Sequence, residues 1–498
     1  MRQRFEQQIT LGIEPISEVK LPLKSRDELP PVLMALQYIF VTPEVSEKIF
    51  SLLEAKICVG KKQTGRKGMD LWQILVLAVV RQTLDTNWDR LELLANGDKF
   101  IRKILGVHVI DFGIEEVEFC YQTMIDNVSL IDDDMLQVIN EIVALHGQTL
   151  FKKKESEALQ LKTDSFVLET NVHFPTDLNL LWDATRKCLE IIKKLMIVSD
   201  LEGWRKVISI KKDFKILFRS TSQQVFKGKS QEQKIKSVKL YLAKANELST
   251  RFEAIAANPP AFISAFATQE KLDELLEEFK QYHDYVKKQI DLIDRRLLQN
   301  ELIPATEKIH SVFETHTEWI SKGKANNKVE LGHMILITTD QYHFIVDYKV
   351  MENEKDASQI KPLTERLAKR FVNTAIESHS FDKGFFSSEN YETLSQTKTE
   401  HIVLPKKGKL NKTEKEREST KEFKALRNAH SAVESNINML EQHGLNRCPD
   451  KGIEGFKRYV GLSVLAYNLH VLGNQLKAQS LKKEQQLQKQ RERYMQAA

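Results

Sequence analysis

The chain predicts a mixed α/β core, interrupted by an all-helical insertion and preceded by a helical N-terminal domain. Three observations carry this expectation. Residues 158–173 and two stretches within 334–350 read as strands, rich in Thr, Val, Ile and Phe. The long segment between them has almost no glycine and repeats apolar side chains at spacings of three and four. Residues 1–150 look mostly helical.

In the first segment, Leu71, Trp72, Ile74, Leu75, Ala78 and Val79 make one helical apolar face. The run from Ile74 to Val80 is too short to cross a membrane and reads as a buried helix. Asp85 to Trp88 reads as a turn and cap leading into Arg90, Leu91, Leu93 and Leu94. No recognition helix of a helix-turn-helix is identifiable. After the strand at 158–173, Pro175, Thr176 and Asp177 stop the extended chain and cap a helix from about Leu178 to Leu195.

Two apolar series follow. Ile235, Val238, Leu242, Ala245, Leu248, Phe252 and Ile255 mark one long amphipathic helix. Leu272, Leu275, Phe279, Tyr282, Val286, Ile290, Ile293 and Leu297 mark a second, with spacing suited to coiled-coil packing. Asn258, Pro259 and Pro260 break the chain between them, so an antiparallel hairpin is expected, with Pro304 interrupting its second half.

Strands return at 334–339 and 343–350, joined by a turn at Asp340, Gln341 and Tyr342. A helix over 357–370 is expected next, with Asp356 as its cap. There follow a helix capped by Ser387 or Ser388, a strand over 401–405, and a Lys/Glu-rich loop over 406–421. Helices over 422–442 and 452–478 close the chain. The expected division is 1–150, a core of 151–199 with 323–478, an insertion of 200–322, and a basic tail of 479–498. Two unrelated domains in series would leave the strand at 158–173 isolated, which a stable sheet disfavours.

A chain of 498 residues has room for two to four domains. It contains no run of 18 or more apolar residues, so no membrane span is expected. The N-terminus lacks a secretory hydrophobic stretch. Cys58, Cys120, Cys188 and Cys448 are scattered without a CxxC pair, which argues against a zinc site or disulfide framework and fits a reducing cytoplasm. The net charge of +5 is modest, but residues 191–250 hold 14 Lys/Arg against 5 Asp/Glu, and 481–498 hold 5 against 2. Such patches suit either phosphate neutralisation or ordinary solvated helix faces. No phosphate-cradling Walker motif is present, so ATP use is not indicated.

Three carboxylates stand in distinctive frames. Asp164 sits between Lys162 and a stretch holding Glu169, Asn171, His173, Pro175 and Asp177. Asp382 precedes Lys383, Gly384 and Phe385. Glu434 follows Val433 and leads toward Asn436, Ile437, Gly444, Leu445, Asn446 and Arg447. Carboxylate oxygens are hard ligands suited to Mg2+. Two such ions about 3.5–4 Å apart can clamp an in-line displacement at phosphorus. The structural alternatives are a polar residue at a strand end for Asp164, a turn residue before Gly384 for Asp382, and a solvated helix face for Glu434. On its helix Glu434 lies beside the apolar stripe of Val433, Ile437 and Leu440.

Together these frames resemble those of bacterial insertion-sequence transposases of the DDE class, most nearly an ISNCY-type group. Gly455, Phe456, Ala466, Tyr467 and Asn468 extend the likeness. It covers about 155–200 and 325–475. The resemblance implies an RNase H-like fold, with the first Asp on the first strand, the second just after a later strand and the Glu on a helix. It implies metal-dependent DNA strand cleavage and strand transfer by Asp164, Asp382 and Glu434, with Mg2+ bound, Mn2+ substituting, and Asp164 bridging two ions. It implies double-stranded DNA as partner, element ends and target alike, with the ends bound through residues 1–150. A homo-oligomer, no membrane and a cytoplasmic, nucleoid-associated location complete the expectation. His173 and Asn171 are secondary candidates near the first Asp. Arg427, His430 and Lys383 are candidate phosphate contacts. Some related transposases carry Tyr and Arg at the spacings of Arg427 and His430, and a Lys seven residues beyond the Glu, where this chain has Glu441. Two alternatives stay open: a transposase-derived DNA-binding protein without activity, and an RNase H-like nuclease without strand transfer.

Overall fold

The computed structural model describes residues 2–5, 13–59, 68–109, 117–152, 157–264, 267–321 and 329–497. Pro30 and Pro31 open the first long helix, α1 (Leu29–Val41), where their missing N–H groups cost no helical hydrogen bond. Helix α2 (Leu71–Thr83) starts at a capping box between Asp70 and Gln73, and every one of its residues is buried. Its one arginine, Arg81, is paired at 2.7 Å with Asp450 and lies over the Trp88 ring. A buried cation without such a partner would be strongly destabilising. Helix α3 (Asp133–Phe151) is capped by Asp132. Strand β1 (Leu159–Thr170) follows.

Next come four long helices: α4 (Asp177–Val198), α5 (Val207–Lys227), α6 (Gln231–Ala257) and α7 (Gln269–Ile293). The chain then returns to strands β2 (Glu330–Thr339), β3 (Ile345–Met351), β4 (Ile376–Phe381) and β5 (His401–Val403). It closes on α8 (Lys421–Ala429), α9 (Ala432–Gln442) and α10 (Gly452–Ala497). These elements divide into two compact units, Met1–Asn171 with Ile320–Ala498, and Val172–Trp319. The boundary expected near residue 323 falls outside the described residues.

In the first unit the strands lie in the order β3-β2-β1-β4-β5. The β2–β3 and β1–β2 pairs are antiparallel, and the β1–β4 and β4–β5 pairs are parallel. This mixed sheet, flanked by helices, is the expected α/β arrangement. Leu159, Leu161, Leu336, Phe344 and Phe381 join one apolar core with α1, α2 and α3. Phe166, Leu168, Ile335 and Ile337 join another with Val433, Leu440, Phe456 and Tyr459. The sheet is therefore covered on both faces.

The second unit has its own core, in which Trp182, Leu189, Phe214, Tyr241, Phe252 and Phe279 are buried. The two expected amphipathic helices are α6 and α7. Helices α4 and α5 pack with them around that core.

Four expectations need correction. Residues 406–421 are not all loop, because Lys412–Ser419 is a helix closed by an Asn411–Glu414 capping box. The single helix expected over 422–442 is broken at His430 and Ser431 into α8 and α9. Asp356 lies inside a short 3-10 turn and makes no side-chain cap bond. The final helix runs past 478 to Ala497.

Candidate active site

The parallel pairing of β1 with β4 ends at Thr163 and Phe381. The next residue on each strand is an aspartate, Asp164 on β1 and Asp382 just past β4. Neighbouring strands run about 4.8 Å apart, so the sheet itself sets these two residues side by side. Side chains alternate faces along a strand. Asp164 pairs with Ile337 and shares the face of Phe166, which is the face covered by Val433 and Leu440 of α9. Phe381 points into the opposite core, so Asp382 turns to the face of Asp164. Asp164 is half-buried, and Asp382 and Glu434 are exposed. Glu434 sits in the first turn of α9.

Beyond Thr163, no described strand lies beside this β1 edge until Glu169 and Thr170 pair with Arg447 and Cys448. That gap opens a cleft of about 380 Å³ lined by Ser165, Phe166, Val167, Glu169, Glu330, Ile437, Asn446 and, from α9, Glu434 and Glu441. Glu169 is held at 2.8 Å by Arg447. The sheet thus brings Asp164 and Asp382 together, and Glu434 borders the adjoining cleft. Among the described residues, no three His, Cys, Asp or Glu side chains stand close enough to share one metal ion.

Lys162 and Ser380 pair across β1 and β4 on the same face as the aspartates. Ser380 Oγ lies 2.9 Å from His430 Nδ1. Burial lowers the His430 pKa, while the nearby charge of Asp382 raises it and that of Lys162 lowers it further. Burial also lowers the Lys162 pKa, against the opposing charge of Asp340. On the other face, Thr163 Oγ1 lies 2.7 Å from Thr338 Oγ1 and 2.8 Å from His379 Nε2. His379 is wholly buried, and its pKa is pushed down to about 3. This trio ties β1, β2 and β4 together one residue before Asp164.

Sequence reasoning gave Lys162, Ser380, Thr163 and His379 no role. The signal was present for two of them. Lys162 lies two residues from Asp164 and so shares its face. Thr163 continues the inward alternation of Leu159 and Leu161. Of the secondary candidates, His173 pairs at 3.2 Å with Asp183 inside the second unit, and its pKa is raised chiefly by that hydrogen bond. Arg427 is exposed on α8, and the break after it removes the shared helical face with Glu434. Lys383 is exposed in the 3-10 turn after Asp382.

Against this geometry, a family model described as Transposase DDE domain matches residues 301–469. No curated protein and no solved structure matches the chain. The matched stretch holds Asp382 and Glu434. Asp164 lies before it, on the strand that pairs with β2 and β4 of the matched stretch. The likeness to DDE-class insertion-sequence transposases is thereby borne out over residues 301–469, the stretch that matches the transposase DDE domain model. No helix among the described residues is long and apolar enough to cross a membrane.

Proposed function

We propose that this chain is a transposase of the ISNCY type, which binds the terminal repeats of an insertion sequence and cleaves and joins DNA strands. The observation that carries the proposal is the placement of Asp164 and Asp382 as the first residues beyond the last β1–β4 pair, in a chain with a DDE domain. Their donor set fits Mg2+: hard carboxylate oxygens, partly or fully open to solvent, with Glu434 exposed on the helix that covers the same face. Asp164 and Asp382 would hold one metal ion and Glu434 would serve a second, since the three do not stand close enough to share one; when bound, the ions supply the positive charge that in-line displacement at phosphorus requires. The protein's own share is positional. The Thr163–Thr338–His379 trio fixes the strands under the two aspartates, and Lys162 adds a cation to their face. Residues 1–150 would bind element ends, and a homo-oligomer would hold two ends together.

The test is cleavage and joining of end-containing duplexes by the purified protein with Mg2+ or Mn2+. Asp164→Asn, Asp382→Asn and Glu434→Gln should each lower the rate by at least about 100-fold, because an amide is a poor ligand for these ions. Their urea-unfolding midpoints should stay close to that of the parent. Near-normal cleavage by Asp164→Asn would sink the assignment. Cleavage without any joined product would favour a nuclease without strand transfer.

A further inference from the structure

Helix α5 carries an outward stripe that the packing of its own unit leaves unused. Its inward side chains, among them Val207, Phe214 and Thr221, are buried. At 100° per residue, Ile208, Lys212, Lys215, Ile216, Arg219, Phe226 and Lys227 fall within an arc of about 120° on the other side. All seven are exposed, with Ile208 at 69%, Ile216 at 57% and Phe226 at 63%. No acid of the helix lies in the arc. Among the described residues the four cations make no ion pair, whereas Lys211, just outside the arc, is tied to Glu190 at 2.6 Å. Lys236 and Lys239 are exposed on α6, the next helix of the same unit.

A solvated face of a helix ordinarily mixes both charge signs and avoids large apolar groups. This one holds a single sign, interleaved with isoleucine and phenylalanine, over about 28 Å of helix. That length matches about eight base pairs of duplex. We infer that the outward face of α5 is a second DNA-contacting surface. Lys212, Lys215, Arg219 and Lys227 neutralise backbone phosphates, and Ile208, Ile216 and Phe226 cover sugar or base edges. Phosphate contact releases condensed counterions, and this is the main source of affinity at such a surface. A membrane-surface helix would segregate its cations from its apolar groups, and here they share one stripe. The inference rests on the chain handling DNA, but not on its catalytic residues.

The experiment is fluorescence anisotropy of the full-length protein on a generic duplex, between about 50 and 200 mM salt. The triple variant Lys212→Glu/Lys215→Glu/Arg219→Glu should bind at least about tenfold more weakly. Its slope of log affinity against log salt should be shallower by about 0.9 for each phosphate no longer neutralised. The milder Lys212→Gln/Lys215→Gln/Arg219→Gln should show the same change of slope, which guards against a folding artefact. Lys271→Gln on α7, an exposed lysine outside the stripe and paired with Glu274, should bind as the parent does, so that loss of this stripe and loss of any surface cation remain separable. Unchanged affinity and slope in both triple variants would overturn the inference. So would unchanged DNA binding accompanied by lost self-association or lost binding to anionic phosphatidylserine vesicles. A parent protein with no affinity for duplex at low salt would overturn the inference and the transposase reading together.

Discussion

His443 is fully buried between α9 and α10, and neither of its ring nitrogens completes a hydrogen bond among the described residues. Burial and the neighbouring His470 lower its pKa to about 4, opposed only weakly by the Thr83 backbone. The unfolded chain binds that proton near its ordinary value of about 6.5, so it takes up the proton first as the pH falls. Stability from the neutral ring is therefore complete above about pH 6.5 and is lost as the pH drops toward 4. The full loss is roughly 3 kcal/mol. Urea unfolding of the parent and of His443→Leu at pH 7 and pH 5 measures this. The parent should lose about 2 kcal/mol more than the variant between those values. Equal losses in the two proteins would show that His443 is not responsible. Near the candidate site, burial likewise keeps the ring of the strand tie His379 neutral.

At the scale of elements, close approach rather than propensity decides where helices lie. A Cβ on Gly473 of α10 would collide with the Pro31 carbonyl of α1, which is backbone and cannot swing away. Gly473→Ala should therefore destabilise the fold by about 1–3 kcal/mol despite alanine's better helix propensity. Gly97→Ala, at a helix end with nothing within 4 Å, should be neutral or gain up to about 1 kcal/mol. Calorimetric melting of both variants separates the two effects, and similar shifts would refute the packing account. The same contrast explains what the sequence made legible. Strand β1 and helices α6 and α7 announce themselves through apolar periodicity, and their structures follow it. The helix Lys412–Ser419 buries no residue and has no apolar face, so only its Asn411–Glu414 cap signals it. The break at His430 carries no glycine or proline to mark it. The three acidic candidates were singled out by their local frames. The side-by-side placement of Asp164 and Asp382 was expected only through the family resemblance, because parallel pairing of strands more than 200 residues apart leaves no local trace. The trio beneath them was hidden for the same reason.

At the scale of the molecule, the long interruption between β1 and β2 is a unit with its own interior. Its buried residues, from Leu178 on α4 to Val312, form one cluster. Its aromatic side chains stack within it: Trp182 on Phe218 at 5.9 Å, Phe214 on Tyr241 at 4.9 Å, and Phe252 edge-on to Phe279 at 5.6 Å. Aromatic contacts of this kind add about 0.5–1.5 kcal/mol each beyond the area they bury. A self-contained apolar core of this size is what independent folding requires. Residues 172–319 expressed alone should therefore be soluble and helical, and should unfold in urea in a single cooperative step. The unit's most extensive helix–helix packing joins α4 to α7, the first and last of its long helices, while the rest is between neighbours in sequence, so refolding should fall on the millisecond scale. Circular dichroism with stopped-flow dilution tests both points. A strand-rich spectrum would remove the helical assignment. A helical spectrum with a gradual, non-cooperative melt would show that this interior depends on the rest of the chain. The unit would then be no module inserted into a pre-existing sheet, but a segment that completes its fold only with the strands on either side.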